Sequence, residues 1–220
     1  MLVRVIAIGV SMALTAVGGE ATPQRTPVTA PDTTIALPPS ALQPFVGRYE
    51  LRPDFVLTVW LDGDQLVTRA TGQPPIRIYP ESETEFAVRL LGAEIRFERD
   101  ADGMVTGLVL HQGKDVQAPK LGDSVPPLPQ PLTLPAAVLE RYVGTYRFTP
   151  EVAVTIAHVG DQLTAQLTGE DAVPLQAYSE TIFISDDPEA LLRFSVTALG
   201  KVTGLSVARN GHRQVGLKIG

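Results

Sequence analysis

Histidine, serine and carboxylate side chains are the groups through which this sequence could catalyse a reaction or hold a metal ion. The histidines lie on separate segments, without the His-x-His or His-Glu-x-x-His spacing of a metal site: His111, His158 and His212. The run 100–103 (Asp-Ala-Asp-Gly) begins like a calcium loop but lacks the later bidentate glutamate, so it predicts a hairpin turn. No serine has a lysine three positions later, no tyrosine is followed by x-Asn, and no Gly-x-Ser-x-Gly elbow occurs. These patterns predict neither a catalytic set nor a cofactor or metal site.

Two arginines, Arg96 and Arg193, recur at equivalent places in the two halves of the chain and alternate with inward side chains. On the outer face of a strand, Arg96 would form ion pairs with neighbouring glutamates such as Glu94 or Glu98. We favour this interpretation. The alternative is that the guanidinium group at this position clamps the carboxylate of a ligand.

Trp60 is the single tryptophan, and it falls on the strand face opposite Leu57 and Val59. A large aromatic ring on that face needs a partner, because it would otherwise expose a wide apolar area. Either the second half of the chain covers the ring, which we favour, or the ring anchors another protein. Trp60, Arg96 and Arg193 are therefore the candidate partner or inter-module contacts.

Composition excludes several classes of protein. The 220 residues carry 18 Lys and Arg against 24 Asp and Glu, which gives a net charge of −6 and a pI near 5.1. Nucleic-acid-binding proteins usually present a basic surface, so no nucleic-acid partner is expected. The sequence contains no cysteine, which rules out disulfides, zinc–thiolate sites, a cysteine nucleophile and an acylated lipoprotein cysteine.

The N-terminal segment predicts a secretory signal peptide over residues 1–21. A positively charged start precedes an apolar run of 13 residues at 5–17, shorter than the roughly 20 residues that span a bilayer. Small residues at Gly19 and Ala21 predict cleavage after Ala21 and an exported protein, periplasmic or secreted, free of the membrane after cleavage. An uncleaved membrane anchor is the alternative. Residues 22–39, rich in Pro and Thr, predict a flexible tether.

The chain contains the same module twice. Short motifs recur at a constant spacing of 97 residues: Val46-Gly47 and Val143-Gly144, Gly63-Asp64-Gln65-Leu66 and Gly160-Asp161-Gln162-Leu163, Ser82-Glu83-Thr84 and Ser179-Glu180-Thr181, Val105-Thr106-Gly107-Leu108 and Val202-Thr203-Gly204-Leu205. A constant spacing over so many motifs indicates a tandem duplication. We place the modules at 40–121 and 134–220 and expect each to fold separately. The proline-rich stretch 122–133 between them predicts a stiff linker.

Both modules predict an all-β fold. Inward and outward side chains alternate along short runs such as 93–98 and 190–194, which is typical of half-buried antiparallel strands. Turn residues separate the runs, and about seven or eight strands in each module favour two small antiparallel β-barrels or curved sheets. A short helix is expected before each module, after Pro39 and from Pro135, because proline is tolerated where a helix begins.

Several motifs of the first module carry a resemblance to a known family: Val46-Gly47-x-Tyr49, Gly63-Asp64-Gln65-Leu66, Thr71-Gly72-Gln73-Pro74, Tyr79 to Phe86, Val105-Thr106-Gly107-Leu108 and His111-Gln112-Gly113. They resemble the domain of unknown function found C-terminal to penicillin-binding-protein-like serine hydrolases. The second module is similar, although Gln176-Ala177 stands at the place of Tyr79-Pro80. The resemblance implies a lipocalin-like barrel that accompanies a beta-lactamase-related or D-aminopeptidase-like catalytic domain, for which this chain has no room.

Three functions remain open at this point. The first is a non-catalytic exported accessory or binding protein, whose partner is a periplasmic serine hydrolase or another exported protein. The second is a lipocalin-like carrier of a small apolar ligand, although bulky inward side chains predict little spare volume in a module: Leu57, Val59, Phe86 and Leu108. The third is a minimal hydrolase with an unrecognised site. A cavity of several hundred cubic ångströms inside one module would favour the carrier.

Overall fold

The structure, a computed structural model, describes residues 34–187 and 189–219. The predicted signal peptide at 1–21, its cleavage site and residues 22–33 of the predicted tether lie outside the described residues. Where the chain is described, it forms two antiparallel β-barrels in tandem, each preceded by a short helix, so the predicted all-β fold is confirmed. No helix in these ranges is long and apolar enough to cross a membrane.

The first barrel is closed by eight antiparallel strands, of which the eighth pairs with the first. The strands are β1 (Gly47–Arg52), β2 (Phe55–Asp62), β3 (Gln65–Ala70), β4 (Ile76–Pro80), β5 (Glu85–Val88), β6 (Ala93–Arg99), β7 (Val105–His111) and β8 (Asp115–Gly122). Helix α1 (Pro39–Leu42) and a 3-10 turn (Gln43–Phe45) precede β1, and a second 3-10 turn (Arg89–Leu91) joins β5 to β6.

The second barrel repeats this topology with eight further strands, and its last strand pairs with its first. The strands are β9 (Gly144–Arg147), β10 (Ala153–Val159), β11 (Gln162–Leu167), β12 (Ala172–Ala177), β13 (Ile182–Asp186), β14 (Glu189–Val196), β15 (Val202–Arg209) and β16 (His212–Ile219). Helix α2 (Ala136–Leu139) and a 3-10 turn (Glu140–Tyr142) precede β9. The duplication seen in the sequence is therefore a duplication of one eight-stranded barrel.

An aromatic cluster fills the interior of each barrel. In the first, the ring centroids of Phe45 and Phe97 are 4.4 Å apart, and Tyr49 and Phe86 meet Phe97 edge-on at 5.6 and 5.4 Å. The Tyr49 hydroxyl donates a hydrogen bond to the Phe45 carbonyl at 2.7 Å, which ties β1 to the helical turn before it. The second barrel repeats the cluster with Tyr142, Tyr146, Phe183 and Phe194. Buried rings contribute much of a core's stability because each removes a large apolar area from water.

The linker between the barrels contacts both of them. The backbone N–H of Leu132 donates to the Ala177 carbonyl of the second barrel at 2.7 Å. On the other side, the indole N–H of Trp60 in the first barrel donates to the carbonyl of Pro126. The proline-rich stretch is therefore hydrogen-bonded to both of the barrels that it joins.

The barrels also touch directly at two glycines. Gly92 and Gly211 both have left-handed backbone angles, with φ of 60° and 74°. A Cβ atom on Gly92 would lie 2.9 Å from the Cα atom of Gly211, closer than real Cβ contacts occur. Glycine at both places therefore allows the turn and the close approach. Residues 34–187 and 189–219 belong to one compact unit.

Candidate ligand-binding cavities

A cavity of about 420 Å³ opens at one end of the second barrel. The chain turns at this end after β9, β11 and β15, and residues of those turns line the cavity: Phe148, Glu170, Asp171 and Asn210. The cavity is lined by Phe148, Val154, Ala165, Leu167, Glu170, Asp171, Val173, Ser185, Ala190, Leu192, Val207, Arg209, Asn210, His212 and Gln214. A volume of this size is typical of sites for small molecules.

The inner wall of this cavity is apolar and its rim is polar. Small side chains on the wall, Ala165 and Ala190, occupy little of the barrel interior and leave the space open. At the rim, a guanidinium nitrogen of Arg209 lies 3.1 Å from a carboxylate oxygen of Glu170, and Asp171 lies next in the same turn. This division suits a ligand with an apolar body inside the barrel and a polar head at the rim.

The first barrel has a smaller cavity of about 260 Å³ at the equivalent end. It is lined by Leu51, Phe55, Leu57, Thr68, Ala70, Gln73, Pro74, Ile76, Val88, Leu91, Ala93, Ile95, Leu110, Gln112 and Leu191. Most of these residues stand 97 positions before a residue that lines the larger cavity. The two cavities are therefore one site of the ancestral module, present in both copies.

The two cavities differ in charge and in what covers them. The charged rim of the second barrel has uncharged counterparts in the first: Gln73, Pro74 and Gln112 in place of Glu170, Asp171 and Arg209. The first cavity also takes part of its lining from the other barrel, because Leu191 belongs to β14. The larger cavity is lined by residues of the second barrel throughout.

A polar network joins the two barrels. The guanidinium group of Arg77 lies 3.3 Å from the carboxylate of Asp186. The Glu189 carboxylate accepts hydrogen bonds from the Arg77 backbone N–H at 3.3 Å and from the Tyr79 hydroxyl at 3.2 Å. Burial raises the pKa of the Glu189 carboxyl above its usual value, because loss of hydration outweighs the stabilisation of the charge by these donors.

A family model described as Domain of unknown function (DUF3471) matches the chain twice, at residues 31–121 and 128–217. The chain belongs to this family. Each match covers nearly all of one barrel and the helix before it, so the predicted internal repeat of a domain of unknown function is confirmed. None of the curated proteins matches the chain.

Trp60 lies on the outer face of β2 in the first DUF3471 module and is only 5% exposed. Its neighbour on β3, Val67, is buried on the same face. The carbonyl of Pro126 in the linker accepts the indole N–H. Trp60 is therefore hydrogen-bonded to the linker.

The two candidate arginines lie in separate environments. Arg193 of the second DUF3471 module points to the first, where its guanidinium group is 3.4 Å from the side-chain oxygen of Gln73. Burial, assisted by the charge of Arg213, lowers the pKa of Arg193. Arg96 is exposed and lies opposite Glu85 on the adjacent strand.

The histidines are also dispersed over the two DUF3471 modules. His111 is hydrogen-bonded to Asp115 at 2.5 Å, and this bond raises the pKa of the exposed imidazole. His158 is hydrogen-bonded to Glu140 at 2.7 Å, and His212 lies at the rim of the larger cavity. Among residues 34–187 and 189–219, no group of three His, Asp or Glu side chains is placed to hold a metal ion.

The run 100–103 forms the turn between β6 and β7, as the sequence predicts. The Asp100 carboxylate accepts the backbone N–H groups of Asp102 at 3.0 Å and of Met104 at 2.9 Å. Asp100 therefore stabilises its own turn by accepting backbone N–H groups, and this structural role explains an aspartate at this position.

The cavities are the feature that sequence reasoning missed. The bulky inward residues that predicted little spare volume are indeed buried in the core of the first module: Leu57, Val59, Phe86 and Leu108. Space is left at other inward positions, where the side chains are small, such as Ala93 and Ala190. Inward alanines at matching places in both repeats were the available signal.

Proposed function

We propose that this protein is a non-catalytic exported binding protein, and that its second barrel holds a small amphipathic ligand. The observation that supports this most is the 420 Å³ cavity with an apolar wall and a charged rim. The proposal follows the lipocalin-like carrier alternative, which needs an interior volume of this order. Export rests on the predicted signal peptide at 1–21.

The chemistry of the rim defines the expected ligand. An apolar body would replace water along Val154, Ala165 and Leu192, and this burial would supply most of the affinity. Glu170 and Arg209 neutralise each other at the opening, so a ligand head would contact a paired, hydrated rim instead of an isolated buried charge. The head can therefore stay partly in water.

Filling the cavity should weaken this binding. Laurate and dodecylamine share an apolar chain and differ in the charge of the head, so isothermal titration calorimetry with both tests the site. We expect at least one of them to bind. Ala190→Phe, which places a ring in the cavity, should weaken that binding at least about tenfold, or about 1.4 kcal/mol.

Ala93→Phe is the matched control, because Ala93 stands at the equivalent position of the smaller cavity. It should leave the affinity for laurate or dodecylamine unchanged. Ala165→Val is a milder filling variant for the case in which Ala190→Phe does not fold, which circular dichroism would reveal. Binding of neither compound, or full affinity in a folded Ala190→Phe variant, would contradict the proposal.

A second candidate is a non-catalytic accessory of a penicillin-binding-protein-like serine hydrolase. It is supported by the motif residues of the family resemblance and by the lack of any Ser-x-x-Lys in the chain. Such an accessory would bind its partner through an outer surface, because a barrel cavity of this size admits only small molecules.

The accessory function predicts a stable complex with an exported serine hydrolase of the same organism. Size-exclusion chromatography of the two purified proteins should show co-elution, and Ala190→Phe should not change it, because that substitution is internal. Separate elution of the exported hydrolases tested would argue against this candidate. The same variant thus separates the two functions.

A further inference from the structure

The cavity of the first barrel is lined entirely by uncharged residues. Its walls come from aliphatic and aromatic side chains such as Phe55, Ile76 and Ile95. Where the second barrel has the pair of Glu170 and Arg209, this cavity has two glutamines. Its lining therefore offers no charge to a ligand.

The polar groups of this cavity already have partners for the most part. The Thr68 hydroxyl donates to the Thr58 carbonyl at 3.2 Å, across the pair of strands β2 and β3. The side-chain oxygen of Gln73 accepts from Arg193 at 3.4 Å. A charged or strongly polar ligand would lose its hydration here without gaining equivalent hydrogen bonds.

The second barrel supplies one wall of the cavity. Leu191 lines it, and Arg193, two residues further along β14, holds Gln73 at its edge. Side chains two apart on a strand point to the same face, so both act from the outer face of β14. Entry to the first cavity therefore depends on contacts between the barrels, whereas entry to the second does not.

We propose that the first barrel contains a separate site for a small uncharged hydrocarbon-like molecule, and that Leu191 of the second barrel covers this site. An apolar protein cavity of about 150 Å³ binds benzene, so one of about 260 Å³ accommodates a substituted single ring. This site goes beyond the amphipathic ligand of the second barrel, because it differs from that cavity in size, charge and access.

The binding of p-xylene to the purified chain tests the site, with NMR titration of the protein's amide signals as the measurement. Ala93→Phe fills the first cavity and should weaken p-xylene binding at least about tenfold. Ala190→Phe, the matched variant of the second barrel, should leave that binding within about twofold of the wild type. Saturable binding with this pattern supports the proposal.

Ala70→Leu provides a filling variant that the fold is expected to accept. The equivalent residue of the second barrel is Leu167, so the module already accommodates leucine at this place. Ala70→Leu should weaken p-xylene binding in the same direction as Ala93→Phe. It keeps the proposal testable if the phenylalanine variant does not fold.

Leu191→Ala tests whether the second barrel covers the cavity of the first barrel. Removal of this side chain should speed the exchange of p-xylene at least about threefold, measured from NMR line shapes, because the ligand no longer waits for the barrels to separate. Leu199→Ala is the control, since Leu199 is 97% exposed in the turn after β14. An unchanged exchange rate in Leu191→Ala would show that the second barrel does not cover the site.

Two outcomes would contradict the proposed hydrocarbon site in the first barrel. One is the absence of saturable p-xylene binding. The other is binding that Ala190→Phe removes and Ala93→Phe leaves intact, which would place the hydrocarbon in the second barrel. Neither outcome bears on laurate or dodecylamine, so the proposed function of the larger cavity stands or falls separately.

Discussion

Trp60→Ala should lower the free energy of unfolding of the chain by about 3 to 5 kcal/mol, the usual cost of replacing a buried aromatic residue by alanine. The ring is almost fully buried, and its N–H is hydrogen-bonded to the Pro126 carbonyl in the linker. The substitution therefore removes apolar contacts and leaves a cavity between the first barrel and the linker. Urea denaturation followed by circular dichroism measures the effect.

Trp60→Phe separates packing from the hydrogen bond. Phenylalanine keeps most of the apolar contact but has no donor for Pro126, so it should cost only about 1 kcal/mol. The fluorescence of the wild type gives an independent check, because Trp60 is the single tryptophan. Red-shifted emission that acrylamide quenches readily would show that the ring is exposed, and would contradict the expected loss of stability.

The barrels could be predicted from the sequence because the alternation of inward and outward side chains is local and is repeated in both modules. Alternation along runs such as 93–98 identifies inward residues, and Ile95 and Phe97 are buried as predicted. Because the motifs recur at a spacing of 97 residues, the pattern of each strand can be observed in both modules. Turn chemistry is equally local, which explains why the hairpin at 100–103 was predicted correctly.

The candidate site was harder to predict from the sequence, for two physical reasons. Alternation tells which way a side chain points but not how much space the barrel leaves, so the cavities beside Ala93 and Ala190 do not follow from it. The contacts between barrels join residues more than a hundred positions apart, such as Tyr79 with Glu189. No periodicity links such residues, because their encounter depends on how two finished barrels pack.

The duplication places two copies of the same barrel in different environments. Both copies keep the aromatic cluster that holds the barrel, whereas the turns around the cavity carry charges in the second copy and amides or proline in the first. Charged side chains at an opening are compatible with a rim in water. Uncharged ones suit a rim that another barrel covers, because burial of an unpaired charge is costly. The difference in rim chemistry therefore agrees with the difference in cover.

Phe194→Ala should destabilise the second barrel by about 3 to 5 kcal/mol and remove its ligand binding. Phe194 is buried at the centre of the aromatic cluster, with its ring centroid 4.4 Å from that of Tyr142 and 5.4 Å from that of Phe183. Loss of this ring removes a ring contact from each of Tyr142, Tyr146 and Phe183. Thermal unfolding by circular dichroism and titration with laurate or dodecylamine measure the two effects.

Phe97→Ala is the matched variant, because Phe97 has the same place in the first cluster, 4.4 Å from Phe45. If the modules at 40–121 and 134–220 fold separately, Phe97→Ala should lower the melting transition of the first barrel and leave the ligand affinity of the second unchanged. Equal loss of ligand binding in both variants would mean that the barrels unfold as one cooperative unit. The contacts through the linker and Glu189 would then be strong enough to couple two complete barrels, and the site in the second would depend on the core of the first.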